Sequence, residues 1–130
     1  MNLYLSRIVD YANRMHLDII SQDDAEALIV VNDEKRGIYR LVIDCEDPIL
    51  IMEQLIYHVE NSSKEHFEKL LKMNRNLVHG AFVLDEEGKR VIFRDTLQIE
   101  NLDYNEFEGS INALSLALAE YSNELIQLNN

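Results

Sequence analysis

Positive charge runs out at Arg94. Beyond it there is no Lys or Arg, while Asp95, Glu100, Asp103, Glu106, Glu108, Glu120 and Glu124 follow. Over the whole chain 24 acidic side chains stand against 12 basic ones, a formal charge of −12. Without clustered Lys and Arg the chain has no means of gripping phosphates, which argues against nucleic acid as a partner. It argues equally against anionic lipid surfaces. The single cysteine, Cys45, excludes an intramolecular disulfide and points to a reducing compartment. Met1 leads straight into Asn-Leu-Tyr-Leu-Ser-Arg, with no basic stretch followed by an apolar run. No window approaches the ~18 apolar residues of a membrane span. A soluble, cytoplasmic protein is expected.

Catalytic signatures are missing too. The histidines, His16, His58, His66 and His79, form no His-x-x-x-His or Glu-x-x-His pair and have no Cys-x-x-Cys beside them, so no metal is expected. Asp85-Glu86-Glu87-Gly88 lacks the alternating oxygen ligands of a calcium loop, and Lys89 and Arg90 follow at once. A hairpin turn with Gly88 at positive φ accounts for it. Cys45 is flanked by Glu46 and Asp47, which raise a thiol pKa rather than activate it. There is no glycine-rich phosphate loop, nucleophile elbow or dinucleotide fingerprint. The chain reads as a non-enzyme without a cofactor.

What is present is a set of folding signals. With 130 residues and 47% apolar content, the chain suits one domain, 1–130, around a single core. Leu5, Ile8, Val9, Ala12 and Met15 mark a first amphipathic helix over about residues 2–15. Leu28-Ile-Val-Val31, the turn cluster Asn32–Gly37 and Ile38–Asp44 read as a hairpin. Asp47-Pro48, the only proline, reverses the chain. Ile49 to Val59 would suit a helix opened by Pro48, with Ile51, Leu55 and Val59 on one face. Its isoleucine content and its place after a hairpin favour a third strand. Ser62 with Glu65 forms a capping box that opens a second helix, with Phe67, Leu70, Leu71 and Asn74 on one face. A second hairpin spans about Gly80 to Ile99.

The last helix is the best marked. Asp103 caps it with Glu106 three residues on, and Leu102 and Phe107 can form a hydrophobic staple. Phe107, Ile111, Leu114, Leu118, Tyr121 and Leu125 then recur at alternating spacings of four and three. The expected order is α-β-β-β-α-β-β-α, an α+β fold with an antiparallel five-stranded sheet and three helices. The helix stripes are first of all core. Three stripes plus five strands nonetheless carry more apolar surface than one thin sheet covers, and a dimer or a groove for a partner segment would absorb it. The acidic surface serves solubility, and it also suits a partner with basic or amphipathic segments.

Glu68-Lys-Leu-Leu-Lys-Met-Asn74, Gly80-Ala-Phe-Val-Leu-Asp85 with Gly88, Asp95-Thr-Leu97 and Leu102-Asp103 before a long helix resemble the type III secretion chaperone family. This includes its CesT/Tir-chaperone branch and the related YbjN-like proteins. The match is clear over about residues 65–125, and the N-terminal half agrees in its order of elements. The resemblance implies a small acidic homodimer that holds a client or effector's secretion segment in extended form on apolar surface, without ATP. Leu97-Gln98 stands where secretion chaperones often have Leu-Pro. Tyr57-His-Val-Glu60 replaces their small-residue, proline-containing loop. A YbjN-like regulatory or structural domain that binds a folded partner is thus the second reading. Leu5, Ile8, Leu28, Val30, Ile38 and Val42, on the first helix and hairpin, are the expected client-binding residues, each also a core candidate. Phe67, Leu70, Leu71 and Asn74 are the expected dimer interface. They lie on the most basic element, with Lys64, Lys69, Lys72 and Arg75, where self-repulsion is least.

Overall fold

The structure, a computed structural model, describes residues 2–130. Its elements are α1 (Leu3–Arg14), β1 (Asp18–Asp23), β2 (Leu28–Asp33), β3 (Ile38–Glu46), β4 (Ile49–His58), α2 (Lys64–Asn74), β5 (Ala81–Leu84), β6 (Arg90–Gln98) and α3 (Tyr104–Leu128). The strands form one antiparallel sheet in the order β1-β2-β3-β4-β6-β5. The α+β class is as expected, but the sheet has six strands, not five. The extra strand is β1. Its sequence, Asp18-Ile-Ile-Ser-Gln-Asp23, has no apolar alternation because it lies at the sheet edge and is exposed along most of its length. Backbone pairing with β2 makes it a strand, and a bulge at Ile20 breaks the register. Ile49 to His58 is the strand expected there, paired with β3 on one side and β6 on the other.

The helices start where short polar side chains can hold free backbone N–H groups. Asn2 Oδ1 accepts from the N–H of Tyr4 at 2.8 Å and of Leu5 at 3.2 Å. Asp103 Oδ1 accepts from Glu106 N–H at 2.8 Å, as expected. The α2 cap is Ser63, one residue later than Ser62, with its Oγ accepting from His66 N–H at 3.1 Å. Inward residues of all three helices, among them Ile8, Leu70, Phe107 and Ile111, join one buried cluster with Ile29, Ile43, Leu50 and Phe93 of the sheet. Tyr11 ties α1 to α3, donating its hydroxyl to Leu102 O at 3.2 Å and packing against Tyr104 and Phe107.

One irregularity in β3 matters for the site. Arg40 sits at φ +52°, and its N–H donates to Asn32 Oδ1 at 2.7 Å. Gln54, buried in β4, fills the neighbouring gap, accepting from Tyr39 N–H and donating to Gly37 O. This break changes the parity of the strand. Ile38 points inward before it, and Leu41, Ile43 and Cys45 point inward after it.

Candidate functional site

An antiparallel sheet with helices on one side normally alternates apolar and polar residues, whereas near-continuous apolar runs mark strands covered on both faces. Here the runs are Leu28-Ile-Val-Val31, Leu41-Val-Ile43 and Ile49-Leu-Ile-Met52. Ile29, Val31, Leu41, Ile43, Leu50 and Met52 fill the core beneath the helices. The alternate residues Leu28, Val30, Val42 and Ile51 are half-buried and have no place in that cluster or among the residues packed on it. Register sets them side by side. One row runs Leu28, Asp44, Ile51, Thr96 across β2, β3, β4 and β6. The next runs Ser21, Val30, Val42, Glu53, Arg94, Ala81 across all six strands. A third joins Leu55, Ile92 and Val83. This second face of the sheet is largely aliphatic, with Asp44, Glu53 and Arg94 as its charged positions, and among the described residues no helix packs on it.

Its charged centre is Asp44. The carboxyl is pushed up to about 6, first by burial, then by the charge of Glu46 and a side-chain hydrogen bond shared with it, and then by Glu26 and Glu53. Its Oδ1 is shut off from solvent and has no hydrogen-bond partner among the described residues. Cys45 faces the other way, into the core, and its thiol is pushed up to about 11 by burial, with Asp44 adding a smaller push. The direction is the one expected from the sequence, with a different leading cause.

The two edges of the sheet are unlike. At β5, Asn74 of α2 takes the place of a further strand: its Oδ1 accepts from Phe82 N–H at 2.8 Å and its Nδ2 donates to Phe82 O at 3.0 Å. The outer edge of β1 pairs with no other strand.

Two clefts lie on the helical side. One, of about 560 Å³, runs between α2 and the second half of α3 and is lined by Lys69, Asn76, Tyr121 and Glu124 among others. His66 forms part of its wall. Its Nδ1–H donates to Asn61 O at 2.6 Å, so Nε2 accepts the Tyr57 hydroxyl at 2.6 Å. The other, about 340 Å³, is apolar and lies between Ile56, Leu118 and Ile126. Among the described residues no three His, Cys, Asp or Glu side chains gather where they would hold a metal ion. Among them also no helix is long and apolar enough to cross a membrane.

The residues singled out from sequence separate into two groups. Leu5, Ile8 and Ile38 are core residues at 1% exposure or less. Leu28, Val30 and Val42 are neighbours on the open face, and the break at Arg40 is what parts Val42 from Ile38. On α2, Leu70 is buried and Asn74 is engaged with β5, while Phe67 is half-buried and Leu71 is 70% exposed. Ile51, Leu55, Ile92, Asp44 and Glu53 were not anticipated. The unbroken apolar run at Ile49–Met52 was the signal that pointed to a two-sided strand.

A six-stranded antiparallel sheet with helices packed on one face and the other face uncovered defines an α+β fold. The chain belongs to the CesT_Tir_1 family, whose model matches residues 1–130. In fold it is similar to YbjN from E. coli, at 14% identity and TM-score 0.70 over 92% of each chain. It is also similar to a chain of the HopA1–SchA chaperone–effector complex, at 14% identity and TM-score 0.67 over 92% of this chain and 93% of that one. A third likeness is to the ExoU–SpcU complex of the Pseudomonas aeruginosa type III secretion system, at 17% identity and TM-score 0.64 over 93% and 96%. No curated protein matches the sequence.

Proposed function

We propose that this protein is a non-enzymatic, chaperone-like binding module, with residues 1–130 acting as one domain that holds a segment of a client polypeptide in extended form. The observation that carries the reading is the apolar face built from Leu28, Val30, Val42 and Ile51, which no helix covers. Similarity in fold to a chain of the HopA1–SchA chaperone–effector complex, and to a chain of the ExoU–SpcU complex of a type III secretion system, supports it. An extended segment gains main-chain hydrogen bonds at a free strand edge and side-chain contacts on an apolar face. The unpaired edge of β1 and the face beside it offer both. Nothing in this mode of capture calls for ATP or a cofactor.

The protein acts as a homodimer in this reading, with Phe67 and Leu71 as the accessible contacts of an α2 interface and Leu70 and Asn74 behind them, in the core and on β5. Light scattering at micromolar concentration that returned the monomer mass would remove the dimer.

A second reading makes the chain a YbjN-like domain that binds a folded partner through α3. Leu116 and Ile126 favour it, being 69% and 63% exposed on the acidic helix. Affinity capture from the native cytosol with mass-spectrometric identification separates the two. Partners held by the wild type and lost with Ile51→Glu mark the sheet face. Partners kept by Ile51→Glu and lost with Ile126→Lys mark α3 and would end the first reading.

A further inference from the structure

We propose that the open sheet face selects client segments carrying an Arg or Lys flanked by aliphatic residues, with the cation seated on Asp44. The inference rests on the reading of that face as the client surface, and adds the chemistry the client must have.

The argument begins with what surrounds Asp44. Leu28 and Ile51 flank it in its own row, and Val42 lies two residues along β3 on the same face. The acidic groups facing it come from three places: Glu26 before β2, Glu46 along β3 and Glu53 of β4. Of the basic residues, Arg94 is the register partner of Glu53 and Arg40 lies on β3 itself. Among the described residues none of the ion pairs uses Asp44, Glu26, Glu46 or Glu53. A carboxylate half-buried among aliphatic side chains, with a shielded Oδ1 that no donor among the described residues reaches and a hydrogen bond shared only with the Glu46 carboxyl, is costly to keep ionised. A guanidinium or ammonium brought in by a partner would supply the missing hydrogen bonds and offset the surrounding negative charge.

Charge also decides which occupant fits. A second copy docked through this face in a two-fold pair would set Asp44, Glu46 and Glu53 against their own counterparts, in a chain of net charge −12. Nucleic acid and anionic lipid are repelled in the same way. A client segment with a single cation among aliphatic residues meets both the apolar rows and the acidic centre.

Protons compete for the same oxygen. With its carboxyl at about 6 in the free protein, Asp44 is ionised and ready for a cation at pH 7.5 and mostly protonated at pH 5. Client affinity therefore falls on acidification, most steeply below about pH 6.

The test uses a phage-displayed library of random 12-residue peptides, selected on the wild-type protein and on Asp44→Asn and Ile51→Glu, each checked by thermal melting. Selected sequences should share one Arg or Lys between aliphatic residues. The best peptide should lose affinity roughly tenfold or more on Asp44→Asn and on replacement of its own cation by norleucine. It should also weaken between pH 7.5 and pH 5 on the wild type only. Peptides that need Ile51 but carry no cation, or that bind Asp44→Asn equally, would overturn the proposal and leave the open face standing as the client surface. Peptides indifferent to Ile51→Glu, or no enrichment at all, would overturn both.

Discussion

Gly80 holds φ at +75°, and a Cβ built there would collide with the Phe93 ring and crowd the Arg94 carbonyl. Gly88 has nearly the same φ, +70°, with open space around it. The pair separates backbone strain from steric strain. Gly88→Ala should cost about 1 kcal/mol in urea denaturation, the price of a left-handed alanine. Gly80→Ala should cost about 2–4 kcal/mol, because the inner side of the sheet must also shift. Equal losses would show that the Phe93 ring simply moves aside. Asp44 tests a different force. The folded state holds its proton up to about pH 6, whereas the unfolded chain releases it near the ordinary aspartate value of 3.8. More protons are bound when folded across that window, so this carboxyl lowers stability as pH rises from about 4 to 6 and restores it on acidification. Asp44→Asn should raise the melting temperature at pH 7 and flatten the profile between pH 4 and 6. An unchanged melting temperature at pH 7 would mean that solvent reaches the carboxyl. The positive φ of Gly88 was legible in the sequence; the behaviour of Asp44 was not. Asp44 reads as the polar end of a strand, and only the register that places it between Leu28 and Ile51 makes it unusual.

At the scale of elements, what could be read followed from local signals. Asp103 with Glu106 and the stripe from Phe107 to Leu125 announce α3, because a cap and a helical period act within a few residues of each other. The isoleucine-rich run that follows the first hairpin announces β4, although Pro48 would also have suited a helix start. The strand β1 was illegible because it is stabilised by a neighbour rather than by its own burial, and an edge strand with only Ile19-Ile20 between Asp, Ser and Gln looks like a loop. Asn74 is a further case of a role that sequence could not disclose. It sits on the α2 face with Phe67 and Leu70, and its amide closes the edge of β5. Asn74→Ala removes both hydrogen bonds and leaves the N–H and carbonyl of Phe82 unpaired, at a cost of about 1–3 kcal/mol. Hydrogen exchange of the Phe82 amide should accelerate in that variant while amides of β3 keep their protection. Unchanged exchange at Phe82 would show that water replaces the side chain without loss.

For the whole molecule, the question is how a chain of net charge −12 holds a partner. Sequence exposed the charge and a surplus of apolar residues, but it could not say which apolar residues lay outside the core. That depends on all helices choosing the same face of the sheet and on the break at Arg40, both set by long-range contacts. With the open face identified, the forces can be ranked. Carboxylates spread over an exposed surface act over about 8 Å at physiological ionic strength, so salt screens their pull on a basic client and slows its encounter. In the proposed complex, contacts with Val30, Val42 and Ile51 would exclude water and so escape screening. A cation covered at Asp44 is screened far less than an exposed pair. Affinity for a client segment should therefore fall by less than about tenfold between 50 mM and 300 mM salt, mostly through the association rate. Docking on the acidic face of α3, with Glu120 and Glu124 exposed, should instead fail steeply over the same range. Titration calorimetry at both salt concentrations distinguishes them: a client lost at 300 mM would move the binding site from the sheet to the last helix.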